Sequence, residues 1–222
     1  MAVNSELYLT LADELKQKNV VLVAVSKTKP IEDILELYHL GQRDFGENYI
    51  QELSEKQKEL PADIRWHFIG HLQTNKVKVI APFIHLIHGV DSLKLLLEIN
   101  KQGLKNNRII DCLLQVHIAQ EETKFGFNED ELDTTINQLP DMQLNNVKIS
   151  GLMGMASFTE DQEKIKDEFH YLKSFFDKYA QPLYSMQTLS MGMSSDYKIA
   201  IDEGSNMVRI GSLLFGERAY IK

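Results

Sequence analysis

One cysteine among 222 residues, Cys112, leaves no partner for an intrachain disulfide, so a disulfide-stapled scaffold is excluded. Its neighbours Ile109, Ile110, Leu113 and Leu114 are apolar, which reads as a buried structural thiol. Basic charge is also short. The chain has 24 Lys and Arg against 32 Asp and Glu, a formal −8, and no long basic cluster. Nucleic acid and anionic membranes both require a positive footprint, so neither is an expected partner. No apolar run approaches membrane-spanning length. Residues 1–6 lack the charged start and apolar stretch of a secretory signal, and the expectation is a cytoplasmic protein. Prolines number only five, and no low-complexity linker or composition break divides the chain. One domain over residues 1–222 is the simplest reading, with an extra N-terminal helix at about 4–18 carrying Leu7, Leu9, Leu11 and Leu15. A lone domain of this kind is expected to be a monomer.

What the chain does have is alternation. Short apolar runs at about 20–25, 43–45, 65–69, 83–88, 109–118, 147–152, 188–190 and 207–210 read as strands. Helical spacing follows these runs: from Ile31, over 47–57, near Thr74, from a Ser92 cap to Gly103, near Asn128, over 162–178 and over 196–201. Eight strands, each followed by helical sequence, fit a (β/α)8 barrel; an open doubly wound sheet is the alternative. In a barrel the carboxyl ends of the strands form one ring, where this architecture carries its chemistry.

Lys27 stands at the end of the first apolar run, in Val25-Ser26-Lys27-Thr28. A strand that ends in a solvated lysine is the plain reading. The chemical reading is an amine, partly withdrawn from water and so shifted toward its uncharged nucleophilic form, that condenses with an aldehyde. The natural aldehyde for such a lysine is pyridoxal 5′-phosphate, held as a Schiff base. Met191-Gly192-Met193-Ser194 and Ile210-Gly211-Ser212 follow the last two inferred strands, where barrels build phosphate cradles. Glycine lets backbone approach a phosphate oxygen, and serine adds a hydroxyl donor; two ordinary capped loops are the alternative. Arg209 interrupts an apolar strand. It either pairs with a carboxylate such as Glu203 or Glu217, or donates to a pyridine nitrogen and leaves that ring unprotonated, a weak electron sink. Asn48 either caps the helix after the second strand or donates to a ring oxygen near Lys27. His67, His71, His85, His88 and His117 resemble a metal set only by count, and no known ligand spacing is completed; no metal is expected.

Taken together, the motifs resemble the pyridoxal-phosphate homeostasis protein family through almost the whole chain. Val23-Ala24-Val25-Ser26-Lys27-Thr28 is similar to its cofactor-lysine strand, and Phe45-Gly46-Glu47-Asn48-Tyr49 with Gln51-Glu52 to its second motif. The run from Trp66 through Gly70-His71-Leu72-Gln73-Thr74-Asn75 to Lys76 is the most distinctive piece. Gly151-Leu152-Met153, the segment 189–194 and Val208-Arg209-Ile210-Gly211 complete the set. The resemblance implies a single TIM barrel of the alanine racemase N-terminal type (pyridoxal-phosphate fold type III), with Lys27 as the imine lysine and Asn48 beside it. It further implies phosphate contacts from Ser194, Gly211 and Ser212 and a ring-nitrogen contact from Arg209. His117 departs from the family, which tends to have asparagine there. The implied role is intracellular vitamin B6 homeostasis as a carrier or regulator that delivers to pyridoxal-phosphate-dependent apoenzymes. The alternative is a racemase or related lyase. That chemistry needs an acid and a base on opposite faces of the substrate, and the alanine racemase family takes one from a second domain for which this chain leaves no length.

Overall fold

The computed structural model describes residues 3–119, 125–180 and 186–216. Eight strands pair in chain order, each parallel to the next, and the last closes on the first. They are β1 (Val21–Val25), β2 (Asp44–Glu47), β3 (Arg65–Phe68), β4 (Leu86–Val90), β5 (Ile110–Gln115), β6 (Val147–Met153), β7 (Thr188–Met193) and β8 (Met207–Ile210). The helices are α1 (Ser5–Gln17), α2 (Ile31–His39), α3 (Ile50–Glu59), α4 (Val77–Ile80), α5 (Leu93–Lys105), α6 (Glu129–Gln138), α7 (Gln162–Tyr179), α8 (Tyr197–Asp202) and α9 (Ser212–Phe215). The expected (β/α)8 barrel is the observed architecture, and the open sheet is excluded by the β1–β8 pairing.

The two-residue period of a strand sorts side chains into two cores. In β1, Leu22 and Ala24 point outward into the layer between barrel and helices, together with Phe45, Phe68, Leu152 and Ile210. Val23 points inward and packs with Leu86, Leu113, Met153 and Met207. Continuing that parity past the strand brings Val25 and then Lys27 to the inner rim, while Ser26 turns back toward the helices. Cys112 is fully buried in the outer layer, and burial raises its thiol well above the ordinary value.

Several boundaries differ from the sequence reading. β4 begins at Leu86, not at residue 83, because Phe83 and Ile84 still donate to the Ile80 carbonyl and close the α4 turn. It then runs on through His88 to Val90. α5 does not stop at Gly103 but continues to Lys105. Gly103 is required by contact rather than by capping, since a Cβ there would lie 2.3 Å from the Asn146 carbonyl oxygen. β2 extends through Glu47 because Ile69 N–H donates to the Glu47 carbonyl, so α3 starts only at Ile50. β7 reaches Met193, with a register shift against β8 between Ser190 and Met193. β5 ends at Gln115, short of residue 118, and Val116 then bridges Phe127.

Candidate functional site

A cavity of about 600 Å³ opens at the carboxyl rim of the barrel, within the usual size of small-molecule sites. Its lining includes all six residues singled out above: Lys27, Asn48, Ser194, Arg209, Gly211 and Ser212. Val25, Ile69, Met155 and Met193 supply apolar walls, and Phe158, 93 % exposed, stands at the edge.

Lys27 reaches the rim through a constrained turn. Thr28 holds φ +62°, a left-handed backbone that a β-branched residue adopts only at a cost. Glu52 secures it by accepting the Thr28 N–H at 2.6 Å. The same oxygen accepts Lys56 Nζ at 2.6 Å, and Lys56 also donates to the Ser26 carbonyl and to Glu47 Oε1, each at 2.8 Å. Ser26 Oγ donates to Glu47 Oε1 at 2.7 Å. This outward-facing knot brackets Lys27 from Ser26 to Thr28. Burial raises the Glu47 carboxyl pKa against the opposing pull of Lys56 and Ser26. Glu52 stood in the second family motif, but the sequence placed neither it nor Lys56 beside Thr28; their (i, i+4) spacing on α3 relates them only to each other.

Asn48 is not the cap of α3. Tyr49 holds that position, and no side chain bonds into the first turn. The next residue of β2 parity after Asp44 and Gly46, Asn48 lines the cavity, and its Oδ1 is buried with no partner among the described residues. At the opposite wall Gly192 has φ +96° and a Cβ there would lie 2.6 Å from Ala200 Cβ, so only glycine makes this turn into Ser194. Ser194 Oγ accepts the Gly211 N–H at 3.2 Å, which ties the loops after β7 and β8 together. Lys29 Nζ anchors the end of α9 by donating to the carbonyls of Phe215 and Gly216, at 2.7 and 3.2 Å.

Arg209 forms the cavity floor. Of the two carboxylates weighed as partners, Glu203 bonds His170 instead, and Glu217 lies outside the described residues. The guanidinium donates to the Ser190 carbonyl at 2.9 Å, to Ser190 Oγ at 2.6 Å and to the Gly154 carbonyl at 3.0 Å. Three bonds leave donors to spare on a group that carries five N–H. Burial lowers its pKa to about 10, opposed by the Asp196 charge, and at neutral pH it stays cationic.

The histidines divide by place. His71 sits on the rim, stacked on Phe125 with ring centres 4.0 Å apart and bonded to Asp91 at 3.1 Å. His117 follows β5, where its backbone N–H donates to Phe127. Inside the barrel His67 and His88 bond each other, and Asp44, His67 and His85 bring ligand atoms within 4.8 Å of one another. That cluster is occupied as a charge pair: Arg65 forks onto both oxygens of Asp44 and already neutralises the carboxylate.

Residues 8–219 match the family described as alanine racemase, N-terminal domain. The chain is 42 % identical over 201 residues to the pyridoxal phosphate homeostasis protein of Aquifex aeolicus, covering 90 % of this chain and 87 % of that one. It is 38 % identical to the human protein of the same name, over 90 % of this chain and 78 % of that one. Among solved structures, PipY of Synechococcus elongatus with PLP bound superposes with a TM-score of 0.87 at 35 % identity, covering 96 % of this chain and 99 % of that one. The alanine racemase of Clostridium difficile shares the fold, with a TM-score of 0.77 at 14 % identity over 58 % of its own length.

Proposed function

The chain belongs to the pyridoxal phosphate homeostasis protein family, built on the alanine racemase N-terminal barrel, and from that membership we propose that it binds pyridoxal 5′-phosphate at the rim as an imine of Lys27. The observation that carries the reading is the convergence of Lys27, Asn48, Ser194, Arg209, Gly211 and Ser212 on one cavity from β1, β2, β7 and β8. The residues present fit the group. Arg209 N–H groups beyond its three bonds are donors that a pyridine nitrogen would satisfy, and the Asn48 amide lines the same cavity with its buried oxygen unpartnered among the described residues. When bound, the cofactor supplies an aldehyde that condenses with an amine and a phosphate ester that demands N–H and O–H donors.

Each protein group then has a task. Lys27 is the covalent anchor, and the Glu52–Thr28 bond aims it. Ser194, Gly211 and Ser212 grip the phosphate. Asn48 donates to the ring oxygen. Arg209 donates to the ring nitrogen, and because arginine keeps its proton the ring stays a weak electron sink. That favours retention and delivery over carbanion chemistry, so the proposed role is intracellular vitamin B6 homeostasis as a carrier or regulator, with pyridoxal-phosphate-dependent apoenzymes as recipients.

Borohydride reduction of the loaded protein, followed by peptide mapping, is expected to fix the cofactor mass on Lys27, and Lys27→Ala is expected to remove the label while leaving the fold. A label on Lys29, or none, overturns the assignment. Incubation of an enantiopure amino acid in deuterated water separates the roles. Scrambling with α-deuteration at ordinary enzymatic rates would replace the carrier with a racemase.

A further inference from the structure

A line of buried polar groups crosses the barrel interior beneath the cavity. Asp44 on β2, His67 on β3, His88 on β4, Ser190 on β7 and Arg209 on β8 are linked end to end. Asp44 Oδ1 lies 3.0 Å from His67 Nε2, and His67 Nδ1 lies 2.9 Å from His88 Nε2. His88 Nδ1 lies 3.2 Å from Ser190 Oγ, which is 2.6 Å from the Arg209 guanidinium. His67, His88, Ser190 and Arg209 are each at most 4 % exposed. Such a line in an apolar core is costly unless every link is made.

The ends fix its direction. Arg209 can only donate. Asp44 can only accept, because the Arg65 fork and the His67 bond outweigh its burial and hold the carboxyl well below the usual range. With both imidazoles neutral, one arrangement satisfies all the links. Arg209 donates to Ser190 Oγ, the Ser190 hydroxyl donates to His88 Nδ1, His88 Nε2–H donates to His67 Nδ1, and His67 Nε2–H donates to Asp44. A charge on His88 is opposed by its complete burial and by the Arg209 guanidinium on the far side of Ser190.

We propose that Asp44, His67, His88 and Ser190 form a one-directional hydrogen-bond chain that holds Arg209 in its donor pose at the cavity floor, making Ser190 and His88 positioning residues for the ring nitrogen of the bound group. The functional half of this statement rests on the pyridoxal-phosphate reading above; the chain itself does not. It ties the electronics of the rim site to a carboxylate at the opposite, amino-terminal mouth of the barrel, on the strand next but one to that of Arg209.

Nitrogen-15 NMR of the histidine side chains at pH 8, without cofactor, tests the chain alone. His67 and His88 are both expected as neutral Nε2–H tautomers, and Asp44→Asn is expected to change the His88 signals although it does not touch that ring. A neutral Nδ1–H form or an imidazolium at either position in the natural sequence overturns the proposal, as does an unaltered His88 in Asp44→Asn. A second measurement uses protein loaded with nitrogen-15 pyridoxal phosphate. Ser190→Ala is expected to shift the ring-nitrogen resonance and the imine absorption band and to weaken retention about fivefold, the scale of one hydrogen bond. Ser190→Thr, which keeps the hydroxyl, is expected to restore both signals. Weaker retention with an unmoved ring-nitrogen signal reduces Ser190 to a packing role and overturns the positioning claim. If the natural protein takes up no cofactor, the functional reading fails while the tautomer result stands or falls separately.

Discussion

Thr28 is the residue whose conformation states most directly what the rim requires. Its φ of +62° is strained for a β-branched side chain, and the Glu52 carboxylate is what holds it there. Thr28→Gly removes the strain but loosens the unfolded chain, and the strain is the larger of the two effects. A stability gain of about 0.5 kcal/mol is expected from urea denaturation. Glu52→Ala is expected to cost about 2 kcal/mol in the same assay and to slow borohydride labelling at Lys27, because it orphans the Thr28 N–H and takes one of three acceptors from the buried Lys56. A labelling rate equal to the natural protein's would show that Lys27 needs no such bracket. At this scale the sequence is informative where parity carries the signal. Lys27 stands two residues beyond Val25, and Arg209 is a cation at an inward position between apolar neighbours. Parity is silent about contacts between elements, so the Glu52–Thr28 bond, 24 residues apart, was not legible, nor was the partner of Arg209.

Elements were legible in kind and order but less so in extent. All eight strands follow from apolar runs, and β8 keeps the bounds read for it, yet the ends of several others were decided by groups elsewhere in the fold. Phe83 and Ile84 look like strand and finish a helical turn, because α4 is too short to stop without them. Gly103 looks like a helix stop and lies inside α5, pressed against Asn146 before β6. This second case gives a test with opposite signs. Helix propensity alone predicts that Gly103→Ala stabilises by about 1 kcal/mol. Contact with a backbone oxygen at 2.3 Å predicts overpacking, a loss of about 2 kcal/mol or more, and the contact should win because backbone cannot rotate away. Thermal unfolding of the variant decides the sign, and a raised midpoint would mean the α5–β6 junction is looser than its geometry.

For the molecule as a whole, the buried polar line sets the acid limit of stability. Burial, with the charge of Arg209, pushes the His88 pKa well below the ordinary histidine value, so the folded chain leaves this ring neutral while the unfolded chain protonates it below about pH 6.5. The unfolded state then binds more protons, and stability falls as pH drops through that value, by about 1.4 kcal/mol per pH unit for one such group. Asp44, with its pKa depressed, adds a second decline once the unfolded carboxyl begins to protonate, near pH 4. Denaturant midpoints measured from pH 8 to pH 4 should hold level and then decline from about 6.5, and His88→Gln should remove the first part of that decline. A profile that stays flat to pH 5 in the natural protein would contradict a neutral buried ring.

The closure of β8 onto β1 has a temporal consequence. Val23 stands beside Arg209 in that final pairing, so the amine at the rim and the guanidinium on the floor come from the first and last staves of the barrel. During synthesis the amine emerges early and waits while seven more strands are made. A chain still on the ribosome carries Lys27 without Arg209, so the proposed site is assembled only when the ring of strands is complete. On the proposed reading, a loaded rim reports a closed barrel.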